Sequence, residues 1–179
     1  MRLEPDADMQ TREKREKLVA GLVFGGLVAG VPAAGALVMR GRGSPDSWWY
    51  RALRKPTIQP PKQAFGPVWS VLYGMIAYSG YRIWKSPKSS ARTRSLALWG
   101  AQLALNGAWT PLFFGARRPK LALADIVALD AAAGAYTAIA RKVDNRAAAS
   151  FVPYLAWLSF ATVLNGRIVM KNPDALLDG

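Results

Sequence analysis

The chain has 179 residues, a net charge of +13, 51% hydrophobic and 20% charged residues, and neither cysteine nor histidine. Lacking cysteine, it has no disulfide framework, thiolate zinc site or thiol chemistry, and lacking histidine it has no use of the commonest general base and metal ligand. The 24 Lys and Arg residues lie almost wholly in the N-terminal segment and between apolar runs, where cations flank a membrane and attract anionic headgroups, so the charge is not read as a nucleic-acid footprint.

Mean hydropathy over the whole chain is only +0.07, because charged connectors average against strongly apolar windows, and the windows decide. Leu18–Met39, Ala64–Tyr81, Ser95–Ala116 and Ala147–Gly166 contain no charge, and Leu121–Ala140 is interrupted only by Asp125 and Asp130. A hydrocarbon core of about 30 Å takes about 20 helical residues at about 1.5 Å each. The sequence therefore predicts an all-α membrane protein, a bundle of five transmembrane helices over residues 18–170. A charged, disordered N-terminal arm at 1–17 and a short C-terminal tail at 171–179 flank it. Lys and Arg are shared about equally between the two sides, so charge does not orient the chain.

In chain order, the arm mixes both signs of charge without an apolar face, and its acids Glu4, Asp6 and Asp8 argue against an organelle transit peptide. The first helix carries Gly21, Gly25, Gly26 and Gly30, whose Gly-x-x-x-Gly spacings allow close helix approach, either inside the bundle or at a dimer seam. The connector that follows, WYRALRKPTIQPPKQAFGPVW from Trp49 to Trp69, holds Pro56, Pro60, Pro61 and Pro67. These remove backbone donors and fix φ, so most of it is a stiff, non-helical link. Trp48, Trp49 and Tyr50 suit a membrane–water boundary, and Arg51, Arg54, Lys55 and Lys62 add cations, giving a cationic aromatic lid able to meet an anionic ligand.

The second helix is expected from about Lys62 to Trp84, the third from about Thr93 to Phe114 with Pro111 near its end, the fourth over 121–141 and the fifth over 147–170. The brief GARRPK turn makes the third and fourth antiparallel neighbours. No phosphate-binding loop, dinucleotide glycine motif, hydrolase elbow or carboxylate-rich metal motif is present, so chemistry falls to a few polar groups in the membrane. Asp125 and Asp130, five positions apart, lie on different faces of one helix and do not form an acid/base pair. Asp125 meets either Arg117 or Arg118 in an ion pair, or a ligand; Asp130 faces a polar crevice. Asn106 needs a partner, on a neighbouring helix or on a ligand. Trp69, Trp109 and Trp157 are either packing residues or the converging walls of a cavity for a large, flat, apolar ligand with carboxylates at its edge.

The segments WYRALRKP, PPKQAFGPVWSVLY, AQLALNGAWTPLFFGARRPKLALAD and VPYLAWLSFATVLN resemble the TspO/MBR family of translocator proteins over roughly Gly35–Asn165. The resemblance implies a five-helix membrane bundle, usually dimeric, that binds porphyrins and haem, sterols in animal members, and synthetic benzodiazepine-site ligands. It implies residence in a mitochondrial outer membrane or a bacterial cell membrane. Carried over by motif, the ligand-lining residues are Ala36, Phe65, Gly66, Val68, Trp69, Asn106, Trp109, Leu121, Ala122, Asp125, Trp157, Ala161 and Leu164, and Ala97 and Ala101 fall at the dimer spacing. Arg51, Arg54, Lys55 and Lys62 then pair with propionates.

The chain departs from the family at Ile58, Gly107 and Leu121, where tryptophans are usual, which implies a roomier and less aromatic pocket. After ATVLN it reads GRIVMKN, without the tyrosine of a sterol-recognition pattern, while Leu72, Tyr78 and Arg82 satisfy that permissive pattern by accident. The resulting expectation is a non-enzymatic receptor or carrier for tetrapyrroles with membrane lipid and a second copy as partners, no required cofactor or metal, and porphyrin or haem as ligand. The alternatives are light- and oxygen-dependent porphyrin breakdown with Trp69 and Trp157 as redox-active indoles, and a structural dimeric scaffold.

Overall fold

The computed structural model describes residues 7–40 and 47–173; residues 1–6 of the expected arm and 174–179 of the expected tail lie outside them. Five long helices are present: α1 (Ala7–Met39), α3 (Lys62–Lys85), α4 (Ser90–Thr110), α5 (Pro119–Ala140) and α6 (Asn145–Lys171). A short helix, α2 (Trp48–Ala52), lies in the first connector, and a π-helical turn, Pro111–Gly115, ends α4. No strand occurs among the described residues.

Expected boundaries agree to within a few residues except at the start. α1 begins at Ala7, so the described part of the charged segment continues the first helix rather than fraying from it. Gln, Arg, Glu and Lys are good helix formers, and nothing between residues 7 and 17 stops a helix. Gln10–Leu37, Pro119–Ala140 and Asn145–Lys171 are long and apolar enough to cross a membrane. α3 and α4, at 24 and 21 residues, have the length, but Tyr, Ser and Gly in α3 and Arg, Gln and Asn in α4 make them less apolar. Some of these polar groups, Ser79, Gln102 and Asn106, are buried inside the bundle.

The long helices close into a ring: α1 packs on α3 and α4, α3 on α6, α6 on α5, and α5 on α4. The short link between α4 and α5 makes them neighbours, as its length requires. On α1 the inward face is Ala20, Phe24 and Val28, a four-residue spacing that keeps one stripe toward α3 and α4. Gly21, Gly25, Gly26 and Gly30 are turned away, and a Cβ on any of them meets nothing within 4 Å. The internal-packing reading of these glycines is therefore not realised. Gly35 is the α1 glycine that packs, a Cβ there lying 3.6 Å from the Thr110 side chain.

At the end of the bundle opposite the first connector, buried Ser79 bonds the Tyr136 hydroxyl at 2.6 Å and donates to the Ala147 carbonyl at 2.8 Å, joining α3, α5 and α6. Beside them, Asp144 caps α6 by accepting from the Arg146 and Ala147 amides at 2.8 and 3.0 Å, and it pairs with Arg82 at 2.7 Å. Arg82 also donates to Tyr78 at 3.2 Å, so the accidental sterol pattern on α3 has its basic and aromatic members committed to each other. Burial alone raises the Asp144 carboxyl, but the Arg82 guanidinium and the helix amides outweigh it and hold the pKa below the ordinary value. A depressed carboxylate contributes stability above its unfolded pKa and loses it as pH falls through the folded one. Stability of the wild-type protein is thus expected to fall below about pH 4. Asp144→Ala should remove that slope and lower stability by about 1–2 kcal/mol at neutral pH, read by thermal unfolding in detergent at stepped pH. An unchanged slope in the variant assigns it to other carboxylates.

Candidate functional site

Two aromatic clusters lie between the first connector and the bundle interior. In the first, Trp69 on α3 and Trp157 on α6 meet edge to face with ring centres 6.3 Å apart. Phe65 approaches Trp157 edge-on at 5.8 Å, and Tyr73 stacks on Trp69 at 5.2 Å. Phe65, Trp69 and Tyr73 recur every four residues and so share one face of α3. Asn106 on α4 sits below them: the Tyr73 hydroxyl donates to its Oδ1 at 3.0 Å, and its Nδ2 donates to the Tyr154 hydroxyl at 2.8 Å. Of the two uses anticipated for that amide, a neighbouring helix is the one realised, and it ties α3, α4 and α6 together.

Trp109 belongs to the second cluster. It stacks on Phe113 at 4.9 Å and 18°, with Phe114 edge-on at 5.9 Å, so two of the three tryptophans touch and the third stands next door, packed against both cores. Four residues apart, Trp109 and Phe113 share a helix face, and the π-turn begins between them. Pro111 lacks an amide hydrogen and its ring crowds the preceding turn, and the chain responds by widening: the Ala116 amide donates to the Pro111 carbonyl at 2.7 Å and the Arg118 amide to Leu112 at 3.0 Å. Arg117 takes the left-handed conformation, φ 54°, to turn into α5.

The connector closes over this cluster. Ser47 caps α2, accepting from the Tyr50 amide at 3.4 Å. Successive residues of α2 point in different directions, so of its three aromatic residues Trp48 faces outward, 67% exposed, beneath the Arg117 guanidinium at 5.5 Å. Trp49 and Tyr50, expected at the membrane boundary, instead descend onto Phe113 at 5.8 and 6.2 Å. The Gln59 amide donates to the Tyr50 hydroxyl at 3.1 Å. Burial pushes the Tyr50 pKa up against the opposing pull of Gln59 and Lys62, which keeps it a neutral hydroxyl. Asn172 latches the connector from below, accepting from the Arg54 amide at 2.8 Å and donating to the Arg54 carbonyl at 3.0 Å and the Ile168 carbonyl at 2.8 Å. Lys55 Nζ lies 4.4 Å over the Tyr50 ring; Arg51, Arg54 and Lys62 are exposed.

The other motif residues divide. Val68 and Ala161 pack against the first core, Ala122 is a buried member of the second and Leu164 packs against it. Ala36, Gly66 and Leu121 are exposed, as are Ala97 and Ala101 on α4. Asp125 makes no ion pair with Arg117 or Arg118: Arg117 is committed to Trp48, and Asp125 Oδ2 is buried without a partner in the chain. Asp130 accepts from Ser159 at 3.2 Å. Trp109 Nε1, Thr162 Oγ1, Gln59 Oε1 and both polar atoms of Asn165 are likewise buried and unpaired within the chain. Tyr73, Tyr154, Phe113, Gln59, Thr162, Asn165 and Asn172 were not among the sequence candidates. Helical spacing was the available signal for Tyr73, Tyr154 and Asn165, one or two turns from Trp69 and Trp157. For Gln59 and Asn172 none existed. No group of three or more metal-ligating side chains occurs among the described residues.

A ring of five long helices, capped at one end by a folded connector over aromatic and amide side chains, defines a multi-pass all-α membrane protein with a polar-edged, aromatic interior. The TspO/MBR family model matches residues 23–170, and the chain belongs to that family. It is 44% identical over 126 residues to the human translocator protein, covering 69% of this chain and 75% of that one. It is 37% identical over 124 residues to the tryptophan-rich protein TspO of Archaeoglobus fulgidus, 69% and 80% respectively. To the tryptophan-rich sensory protein of Cereibacter sphaeroides it is 35% identical over 143 residues, 80% and 85%.

Proposed function

We infer that the chain is a non-enzymatic membrane receptor or carrier that binds porphyrins and haem, acting in their transport, sequestration or stress regulation. The observation that carries this is the set of buried, unpaired hydrogen-bonding atoms on Trp109, Asp125, Thr162 and Asn165; Trp109 is itself in the second aromatic cluster, Thr162 and Asn165 share α6 with Trp157, and Asp125 stands on neighbouring α5, beneath a cation-bearing connector. A buried polar group without a partner costs free energy, and a ligand that supplies the partner recovers it. A tetrapyrrole offers a flat apolar face for the indoles, propionates for Arg51, Arg54, Lys55 and Lys62 and, in the metal-free porphyrin, ring nitrogens for the interior polar atoms. Aromatic stacking of this kind contributes about 0.5–1.5 kcal/mol per ring pair beyond the area buried.

Titration of the purified protein with protoporphyrin and haem is expected to give saturable quenching of tryptophan fluorescence, with affinity reduced about tenfold in Trp69→Ala. Unsaturable quenching, equal in both proteins, overturns the reading. The Trp69–Trp157 contact at 6.3 Å favours a second reading, light- and oxygen-dependent breakdown of the bound porphyrin through these indoles. Illumination should then build a bilin-like absorbance that Trp157→Phe abolishes; bleaching at the same rate in the variant rejects it. The same proposal includes a homodimer seamed by Ala97 and Ala101, small residues exposed on α4. It also includes residence in a mitochondrial outer membrane or a bacterial cell membrane.

A further inference from the structure

At the end of the bundle away from the connector, α1 and α3 part to leave a surface groove of about 650 Å³. Its walls are fixed. Phe24 stands edge-on to Trp99 at 5.0 Å and tilts against Trp84 at 6.4 Å, while Tyr81 backs Trp84 in a stack at 6.2 Å. Along the groove the lining changes character: Val19, Val23 and Phe24 are apolar, and one to two turns earlier on α1 stand Arg12, Arg15 and Glu16. A third guanidinium is held at the same end, because Arg92 donates to the Trp84 carbonyl through Nε at 3.0 Å and Nη2 at 2.6 Å. Glu16 offsets part of this charge.

The change from basic to apolar falls where the uncharged span starting at Leu18 begins, which is the headgroup boundary of a membrane-crossing helix. From Arg15 to Val23 the helix rises about 12 Å. An occupant must therefore be anionic at one end and apolar over the next stretch. A small free anion matches only the first requirement and a neutral lipid only the second. We propose that this groove binds one anionic glycerophospholipid, its phosphate between Arg12 and Arg15 and an acyl chain along Val19, Val23 and Phe24 against Trp84. The site lies across the bundle from the tetrapyrrole reading and is independent of it.

Native mass spectrometry of the full chain, delipidated in detergent and titrated with phosphatidylglycerol or phosphatidylcholine, tests this. The wild type is expected to retain one phosphatidylglycerol under activation that strips phosphatidylcholine. The pair R12Q/R15Q should retain about 25-fold less, since each cation near an anionic headgroup contributes about fivefold. V23W keeps both cations but fills the apolar bore, and should lose retention similarly. K85Q/K88Q removes two cations at the same end of the bundle that do not line the groove and should change nothing. All substituted side chains are exposed, and equal helical circular dichroism confirms that each variant folds. Equal retention of both lipids by the wild type, undiminished binding by R12Q/R15Q or V23W, or an equal loss in K85Q/K88Q overturns the proposal, the last in favour of diffuse attraction.

Discussion

Gly80→Ala is expected to lower the unfolding midpoint in detergent by several degrees, a loss of about 1–3 kcal/mol from overpacking. A Cβ at Gly80 lies 2.6 Å from Trp99 Cε2 and Nε1 and 2.9 Å from Phe24 Cδ1, closer than real side-chain contacts allow. Neither neighbour yields cheaply. Trp99 is buried at 4% exposure and its Nε1 donates to the Ile76 carbonyl at 2.9 Å, so moving the indole breaks that bond. Phe24 is pinned between Trp99 and Trp84, so moving it pushes α1 off the bundle. Gly134→Ala supplies the control, since a Cβ there meets nothing within 4 Å. Helix propensity alone makes it stabilising by about 0.5–1 kcal/mol. Gly80→Ala and Gly134→Ala shifting the midpoint alike would falsify the packing account.

The second large effect is at Asn106. Asn106→Leu keeps the branched heavy-atom skeleton, with two methyls in place of the amide O and NH2, but leaves the Tyr73 and Tyr154 hydroxyls without the amide they share. Interhelical polar contacts in membranes average about 0.6 kcal/mol and reach about 1.7 kcal/mol, so losing two places the cost at about 1–3 kcal/mol. The loss also reaches the proposed tetrapyrrole site, because Tyr73 is the residue on which Trp69 stacks. Tetrapyrrole affinity should fall together with stability. A double-mutant cycle with Tyr154→Phe separates the effects: the two substitutions remove the same hydrogen bond, and their costs should sum to more than that of the double variant. Strict additivity would show that the two side chains do not interact.

Much of this architecture is legible in the one-dimensional pattern. Runs without charge, about the length that spans a bilayer, fix the number and type of helices, since a lipid-exposed backbone must satisfy its own hydrogen bonds. Pro111 forecasts the end of α4, and Pro56, Pro60 and Pro61 the non-helical stretch between α2 and α3, from a missing amide hydrogen and a fixed φ; most of Trp49–Trp69 is nonetheless helical, because α2 runs to Ala52 and α3 starts at Lys62 with Pro67 in its second turn. The tryptophans at 69 and 157 are visible as candidates because aromatic rings deep in apolar helices are uncommon enough to question. The helical identity of the 7–17 segment is equally visible from propensity, since Gln, Arg, Glu and Lys are good helix formers whatever the sign of their charge.

What the sequence by itself determines, then, is an all-α membrane bundle of five long helices and a shortlist of polar and aromatic side chains able to face its interior. Which of them meet is decided only by helix rotation and the angles at which neighbours cross, set by packing among residues distant in the chain. Rotation turns the glycines of α1 outward and Gly35 inward, and brings Trp69 to Trp157 while Trp109 goes to Phe113. It leaves Asp125 without Arg117, because the π-turn carries that guanidinium over Trp48 instead. The latch between Asn172 and Arg54 spans 118 positions, and no local pattern encodes it. Such contacts form because a buried amide must find a partner once the helices have docked, and only the docked bundle says which partner is within reach.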